Sequence, residues 1–264
     1  GPLSVGRNRL SAVSARANGF TVVGPALVSN AAAMAVPNAR SFGYFGGGSP
    51  STRSTVHRID YSNDTATAAV KGPLTVSVYL PAATGNSFFG YFGGGGDPIK
   101  STVNRIDYSN DTATASAKGP LSVTKEGLSA SSARANGFTV VGPALVSNAA
   151  AVAGSFNPTN FGYFGGGEAP NDSSIIQRID YSNDTTTASP KGLLSEVRER
   201  MGSAGNSFFG YFAGGQGTPS DNSRVDRMEY ANDTATALIK GPLSQRRTAL
   251  TGAGNASFGY FAGG

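Results

Sequence analysis

The chain contains no cysteine and no tryptophan, and histidine occurs once, at His57. The missing cysteine excludes disulfides and thiolate metal sites outright. Charge is sparse: Asp, Glu, Lys and Arg make up 14% of the 264 residues, and the 21 Lys and Arg exceed the 16 acids to leave a net charge of +5. The basic residues are scattered singly, with only Arg246 and Arg247 adjacent. A chain without a basic run or an arginine-rich helix is not expected to bind nucleic acid. No charge occurs between Arg16 and Arg40, and Gly24, Pro25, Asn30 and Asn38 interrupt that stretch. Its apolar runs are too short for a spanning helix, so no membrane span is expected. The start, Gly1 to Arg7, has no apolar stretch behind a basic region and does not read as a signal peptide.

Glycine is abundant (37 residues), and β-branched, aromatic and small residues dominate the remainder. Such a composition suits short, closely stacked strands joined by tight turns. Aromatics recur regularly and net charge is modest, which argues against disorder.

The aromatics recur because the chain is a repeat. An aromatic-glycine strand appears as Phe42-Gly43-Tyr44-Phe45-Gly46-Gly47 and again around Tyr91 and Tyr163. Copies around Tyr211 and Tyr260 carry Ala213 and Ala262 after the phenylalanine, and the tyrosines are spaced by 47, 72, 48 and 49 residues. A second marker follows each of the first four copies. It reads Arg58-Ile59-Asp60-Tyr61-Ser62-Asn63-Asp64-Thr65, then repeats from Arg105 (with Asp107 and Tyr108), Arg178 (Asp180, Tyr181) and Arg227 (Glu229, Tyr230). A Thr/Ala-rich strand comes next and closes on Lys-Gly-Pro-Leu or Lys-Gly-Leu-Leu; the chain itself opens on Gly1-Pro2-Leu3. Each unit of about 48 residues therefore holds four strand-like pieces: a variable strand, the aromatic-glycine strand, the Arg-Ile-Asp-Tyr strand and the Thr/Ala strand. Four short antiparallel strands per unit of this length predict a β-propeller blade. Aromatics on both faces of the second strand agree, because a blade is sandwiched between neighbours.

The 72-residue interval is explained by an insertion. Residues 132–151 repeat residues 14–33 word for word, SARANGFTVVGPALVSNAAA. Each insert reads as an extra hairpin, buried or at an interface. Counted that way, the chain (one repeat domain, 1–264) holds about five blades, in a ring that is incomplete or completed by a neighbouring chain.

In this order of elements the sequence resembles the kelch repeat, with Tyr61, Tyr108, Tyr181 and Tyr230 at the position of the blade tyrosine; the tryptophan of that pattern has no counterpart here. The wording FGYFGGG…RIDYSNDTATA…KGPLS more closely resembles repeats in structural proteins of marine cyanobacterial phages. That resemblance covers nearly the whole chain apart from the inserts. It implies a virion component of the tail or fibre, or otherwise an extracellular protein. Its partners would be other virion proteins, copies of itself or a host-surface glycan.

The residues offer little chemistry beyond this. The slot of His57 holds Asn104, Gln177 and Asp226 in the other units, so the repeat does not require imidazole, and His57 reads as a solvated strand residue. Asp60, Asn63 and Asp64 supply three oxygen ligands at most, short of the six to eight that calcium takes. A turn closed by Asx hydrogen bonds explains them without a metal. Asn63-Asp64-Thr65 and its equivalents match the N-glycosylation sequon, incidental in a phage protein. Arg58 and Asp60, two apart on a strand, share a face and read as an ion pair repeated around the ring, within a blade or bridging adjacent ones. The glycine runs are followed by no Lys-Ser/Thr and are not a phosphate loop. The reading is of a non-enzymatic structural or attachment protein without metal or cofactor. Variable loops such as Gly48 to Ser54 and Gly167 to Ser174 would carry specificity. A carbohydrate-binding propeller is the alternative, and a propeller enzyme the more distant one.

Overall fold

The computed structural model describes residues 11–14 (as backbone), 42–48, 52–86, 88–132, 161–217, 220–254 and 257–264. It is all-β among these residues, relieved only by a 3₁₀ turn at Tyr230–Asn232. Four sheets have four antiparallel strands each. The first comprises β1 (Ser11–Ser14), β2 (Phe42–Gly46), β3 (Val56–Asp60) and β4 (Ala69–Lys71); the second β5 (Ala82–Gly85), β6 (Phe89–Gly93), β7 (Val103–Asp107) and β8 (Ser116–Lys118). The third comprises β9 (Ser129–Ser132), β10 (Phe161–Gly165), β11 (Ile175–Asp180) and β12 (Ser189–Leu193); the fourth β13 (Gly202–Gly205), β14 (Phe209–Ala213), β15 (Val225–Glu229) and β16 (Leu238–Lys240). β17 (Leu250–Gly254) and β18 (Gly259–Gly263) form a two-stranded sheet after them.

The sheets are arranged as propeller blades. Their first strands lie side by side in series, β1 beside β5, β5 beside β9, β9 beside β13 and β13 beside β17. Apart from Val13 and Leu250, these inner strands are made of Ala, Ser, Gly and Thr, because they crowd together. Thr84 Oγ1 donates to the Ser131 carbonyl (3.1 Å), and Ser203 Oγ donates to that of Ala130 (2.5 Å). β1 pairs directly with β2, and β9 with β10. The blades that carry the 20-residue inserts therefore stay four-stranded, with the insert in the connection from first to second strand. Apart from Ser14 and Ser132, the inserts lie outside the described residues.

The hydrophobic core sits between blades. Tyr44, Val56, Leu74 and Val78 of the first meet Phe92, Ile106, Tyr108 and Ala115 of the second, and equivalent clusters join the second to the third and the third to the fourth. Fully burying side chains of this size is worth about 1.5–3 kcal/mol each, so the stacking of blades is the dominant favourable term.

The aromatic-glycine strand follows from that stacking, position by position. The first glycine leaves room for the tyrosine of its own blade's third strand: a Cβ at Gly43 would stand 2.5 Å from the Tyr61 hydroxyl, and one at Gly162 2.5 Å from that of Tyr181. The next tyrosine faces the following blade and the phenylalanine after it faces the preceding one. The second glycine receives that phenylalanine from the following blade. A Cβ at Gly93 would lie 2.8 Å from the Phe164 ring, and one at Gly165 2.9 Å from that of Phe212. The strand then turns through Gly94 and Gly95 at φ +68 and +109, a region that side-chain-bearing residues rarely enter.

Gly93→Ala is expected to destabilise the protein by about 1–3 kcal/mol, the usual range for overpacking a tight contact. Ala213→Gly, at the same position of the fourth blade, should move the midpoint of urea unfolding far less. Equal shifts would show that the Phe164 contact does not limit this position.

Candidate functional site

The recurrent polar residues meet at the joints between blades. In the first joint the Tyr44 ring stacks on Tyr108 of the second blade, centroids 4.9 Å apart and planes at 17°. The Tyr44 hydroxyl donates to Asp111 Oδ2 at 2.8 Å, Arg58 Nη1 reaches the same oxygen at 2.7 Å, and Lys71 Nζ lies 3.3 Å from Oδ1. The Asp111 carbonyl accepts the Gly72 amide at 2.8 Å. Tyr91, Arg105 and Lys118 converge in the same way on Asp184, and Tyr163, Arg178 and Lys191 on Asp233. Tyr181 stacks on Tyr91 and Tyr230 on Tyr163.

The arginine therefore bonds the second aspartate of the neighbouring blade's turn and not the aspartate two residues along its own strand. Strand alternation puts Arg58 and Asp60 on one face, but the following blade reaches the guanidinium first. Each arginine also lies over the first phenylalanine of its own blade, Arg58 over Phe42 at 4.1 Å and Arg227 over Phe209 at 4.3 Å. Asp60 closes its own turn: Oδ1 accepts the Ser62 amide at 2.9 Å and the Ser62 hydroxyl at 2.6 Å, and these bonds hold its carboxyl below the ordinary value. Asp107 and Asp180 each accept the same two bonds, from Ser109 and Ser182.

His57 is buried, not solvated. In the other units its slot points at the start of the connection that leads in from the preceding blade. Asn104 accepts the Thr75 amide (2.9 Å), Gln177 the Ser122 amide (2.6 Å) and Asp226 the Ser195 amide (2.9 Å). Asp226 also holds the fully buried Arg198, whose Nη2 lies 2.6 Å away. This ion pair was not legible in sequence, because Arg198 and Asp226 fall in two segments that vary between units.

Antiparallel alternation divides the loops between two faces. On one lie the glycine turns and the connections between blades, tied together by bonds such as Gly95 N to Lys125 O and Gly167 N to Arg198 O. Here Glu126, Glu168, Asp172 and Glu199 gather with Lys125 and Arg200. Burial, reinforced by the charges of Glu168 and Asp172 and opposed by Arg200, raises the Glu199 carboxyl to about 7. Among the described residues, no three His, Cys, Asp or Glu side chains are placed to hold a metal ion. The loop from Gly167 to Ser174 closes on itself, with Ser173 N bonded to Gly167 O and a bridge between Glu168 and Asp172. Residues 49–51 of the other variable loop are outside the described residues.

The opposite face carries the Ser-Asn-Asp turns and the hairpins from first to second strand. At its hairpin tips Phe88 and Phe208 are 65% and 60% exposed, and Phe258, the last unit's counterpart of Phe89 and Phe209, is 64% exposed. The first two tips are built alike. Asn86 Oδ1 accepts the amides of Phe88 (2.8 Å) and Phe89 (2.9 Å), and Asn206 does so for Phe208 and Phe209, both at 2.9 Å. Such Asx turns fix the backbone, so each ring is held out on a defined stem. In the first and third blades the same connection holds the apolar inserts. The signal is present in the sequence as Asn-Ser-Phe-Phe, but the doubled phenylalanine blends into the strand that follows it. This aromatic face is the candidate interaction site. No family model matches the chain, and no curated protein sequence matches it.

Two carboxylates of opposite behaviour make the joints testable by pH. Burial works against the Asp184 carboxylate, but the Tyr91 and Arg105 hydrogen bonds, the Arg105 charge and Lys118 outweigh it and lower its pKa. A lowered folded-state pKa contributes stability that is complete above the ordinary carboxylate value and lost as pH falls through the lowered one. Asp184→Asn should cost about 2–4 kcal/mol at neutral pH, since it strips a partly buried joint of the carboxylate on which Arg105 and Lys118 converge. That deficit should shrink as the medium is acidified. Glu199 runs the other way: the folded protein keeps its proton longer, so stability falls as pH rises from about 4.5 to about 7. Glu199→Gln should flatten that fall in urea midpoints taken across the range, and an unchanged slope would rule the residue out as its source.

Proposed function

We propose that this chain is a non-enzymatic structural or attachment protein, a virion component of tail or fibre, built on a kelch-type propeller of five blades. The observation that carries the reading is the pair of phenylalanines, Phe88 and Phe208, held out on Asx-closed hairpins on one face of the blades. An exposed large aromatic is unfavourable in water unless a partner covers it, and rings on rigid stems lose little entropy on contact. The recurrent titratable residues are engaged in joining blades, which suits a scaffold better than a reaction. The identical inserts add apolar sequence to the same connection in two further blades. The wording of the repeats, similar to that of cyanobacterial phage structural proteins, supplies the setting. On this reading the partners are other virion proteins or the host surface, and the chain acts on the virion or outside the cell.

A glycan-binding role is the second reading, and the same rings favour it, since sugar faces stack on aromatics. Among the described residues, no helix is long and apolar enough to cross a membrane.

The double variant Phe88→Ser, Phe208→Ser should keep the unfolding free energy within about 0.5 kcal/mol, as exposed positions do. Its retention on host cells or on particles lacking the protein should be lost. Full retention by the double variant would sink the aromatic face. Chain-specific peptides missing from purified particles would sink the virion setting, and selective binding on a glycan array would favour the second reading.

A further inference from the structure

The donor side of a blade joint consists of the tyrosine of the second strand, the arginine of the third and the lysine of the fourth, with the glycine and leucine that follow. At three joints the next blade's third-to-fourth-strand arm covers this set. A Cβ at Gly72, Gly119 or Gly192 would stand 1.8, 1.8 or 1.9 Å from a carbonyl oxygen of that arm, and Leu74, Leu121 and Leu194 are each 2% exposed.

The fourth blade presents the same set to β17 and β18 alone. Tyr211 is partly exposed, in the place of Tyr44, Tyr91 and Tyr163, which are 0% exposed. Among the described residues, no carboxylate reaches Tyr211, Arg227 or Lys240, and Arg227 Nε is buried without a hydrogen-bond partner. A Cβ at Gly241 would meet nothing within 4 Å, and Leu243 is partly exposed. A cleft of about 340 Å³ opens beside them, lined by Tyr211, Val225, Lys240, Gly241, Phe258 and Phe261. The outer edge of β18 has no strand paired to it among the described residues, and Tyr260 is 62% exposed.

We propose that this face docks one strand–turn–strand arm with the wording of the chain's own repeats, Arg-Ile-Asp-Tyr-Ser-Asn-Asp-Thr followed by a Thr/Ala strand. Its first strand pairs with β18 as β15 pairs with β14. Its tyrosine enters the cleft and stacks on Tyr211. Its second aspartate accepts from the Tyr211 hydroxyl, Arg227 and Lys240, and its turn closes over Gly241. Charge selects this occupant: two cations and a phenol converge where the other joints place one carboxylate. A complete second copy fits less well, because its first blade brings β1 and β2 to the place β17 and β18 already hold. The arm's own arginine and lysine have a matching acceptor at the other end of the series. There Tyr61 is 45% exposed, and among the described residues no cation reaches Asp64.

The test is titration of the full chain with a synthetic peptide of residues 99–121, the arm of the second blade, followed by calorimetry and amide exchange. One-to-one binding with slowed exchange at Gly259–Gly263 is expected. Losing one carboxylate that meets two cations should weaken binding about tenfold or more, so Asp111→Asn in the peptide and Lys240→Gln in the chain should each do so. The two changes together should be little worse than either, because they remove the same contact. Lys240 lies on an exposed strand, and an unaltered unfolding midpoint of Lys240→Gln would show the fold intact. No binding at millimolar peptide, or equal binding by the Asp111→Asn peptide, would overturn the proposal. So would a dimer of the chain alone that both Lys240→Gln and Asp64→Asn dissolve, since that assigns the face to a second copy.

Discussion

A single aspartate, repeated at Asp111, Asp184 and Asp233, is the point on which adjoining blades are pinned. It lies in the turn of one blade and takes a tyrosine hydroxyl, a guanidinium and an ammonium from the blade before it. Its backbone carbonyl takes the amide of the glycine after that lysine. A partly buried carboxylate is costly to desolvate, and here three donors from one neighbour offset the cost. Because all of them come from the same adjacent blade, the bond is directional. It sets which face of a blade meets which face of the next, where hydrophobic contact alone would tolerate sliding.

The motif of the second strand is the complement of that pin. Once the tyrosine faces forward to the aspartate, the phenylalanine after it must face backward. The glycines flanking the pair then give way to the arm tyrosine of the same blade and the phenylalanine of the next. The stacked tyrosines at 4.9 Å belong to this arrangement, and so do the arginines over Phe42, Phe89 and Phe161. The side chains that recur are thus consumed in holding the blades, and what the blades hold out must be sought at the hairpin tips.

The fourth blade shows what the joint is worth by presenting it half-made. Tyr211 and Leu243 gain exposure where their counterparts have none, and the turn over Gly241 is open. The same residues in the same order pack or stand free according to whether an arm follows.

Much of this was legible from the chain alone. The 48-residue period, the four strands per unit and the Asx turn at Asp60 follow from spacing and side-chain chemistry, which act over a few neighbouring residues. The phenylalanine tips were written in Asn-Ser-Phe-Phe but indistinguishable from strand. What only tertiary structure decided was the partner of each charge and the burial of His57. Arg58 lies two residues from Asp60 and 53 from Asp111, yet the distant carboxylate takes it. Local periodicity determines which face a side chain leaves from. Which group it meets there depends on the neighbouring sheet, and that distance is set by the packing of whole blades.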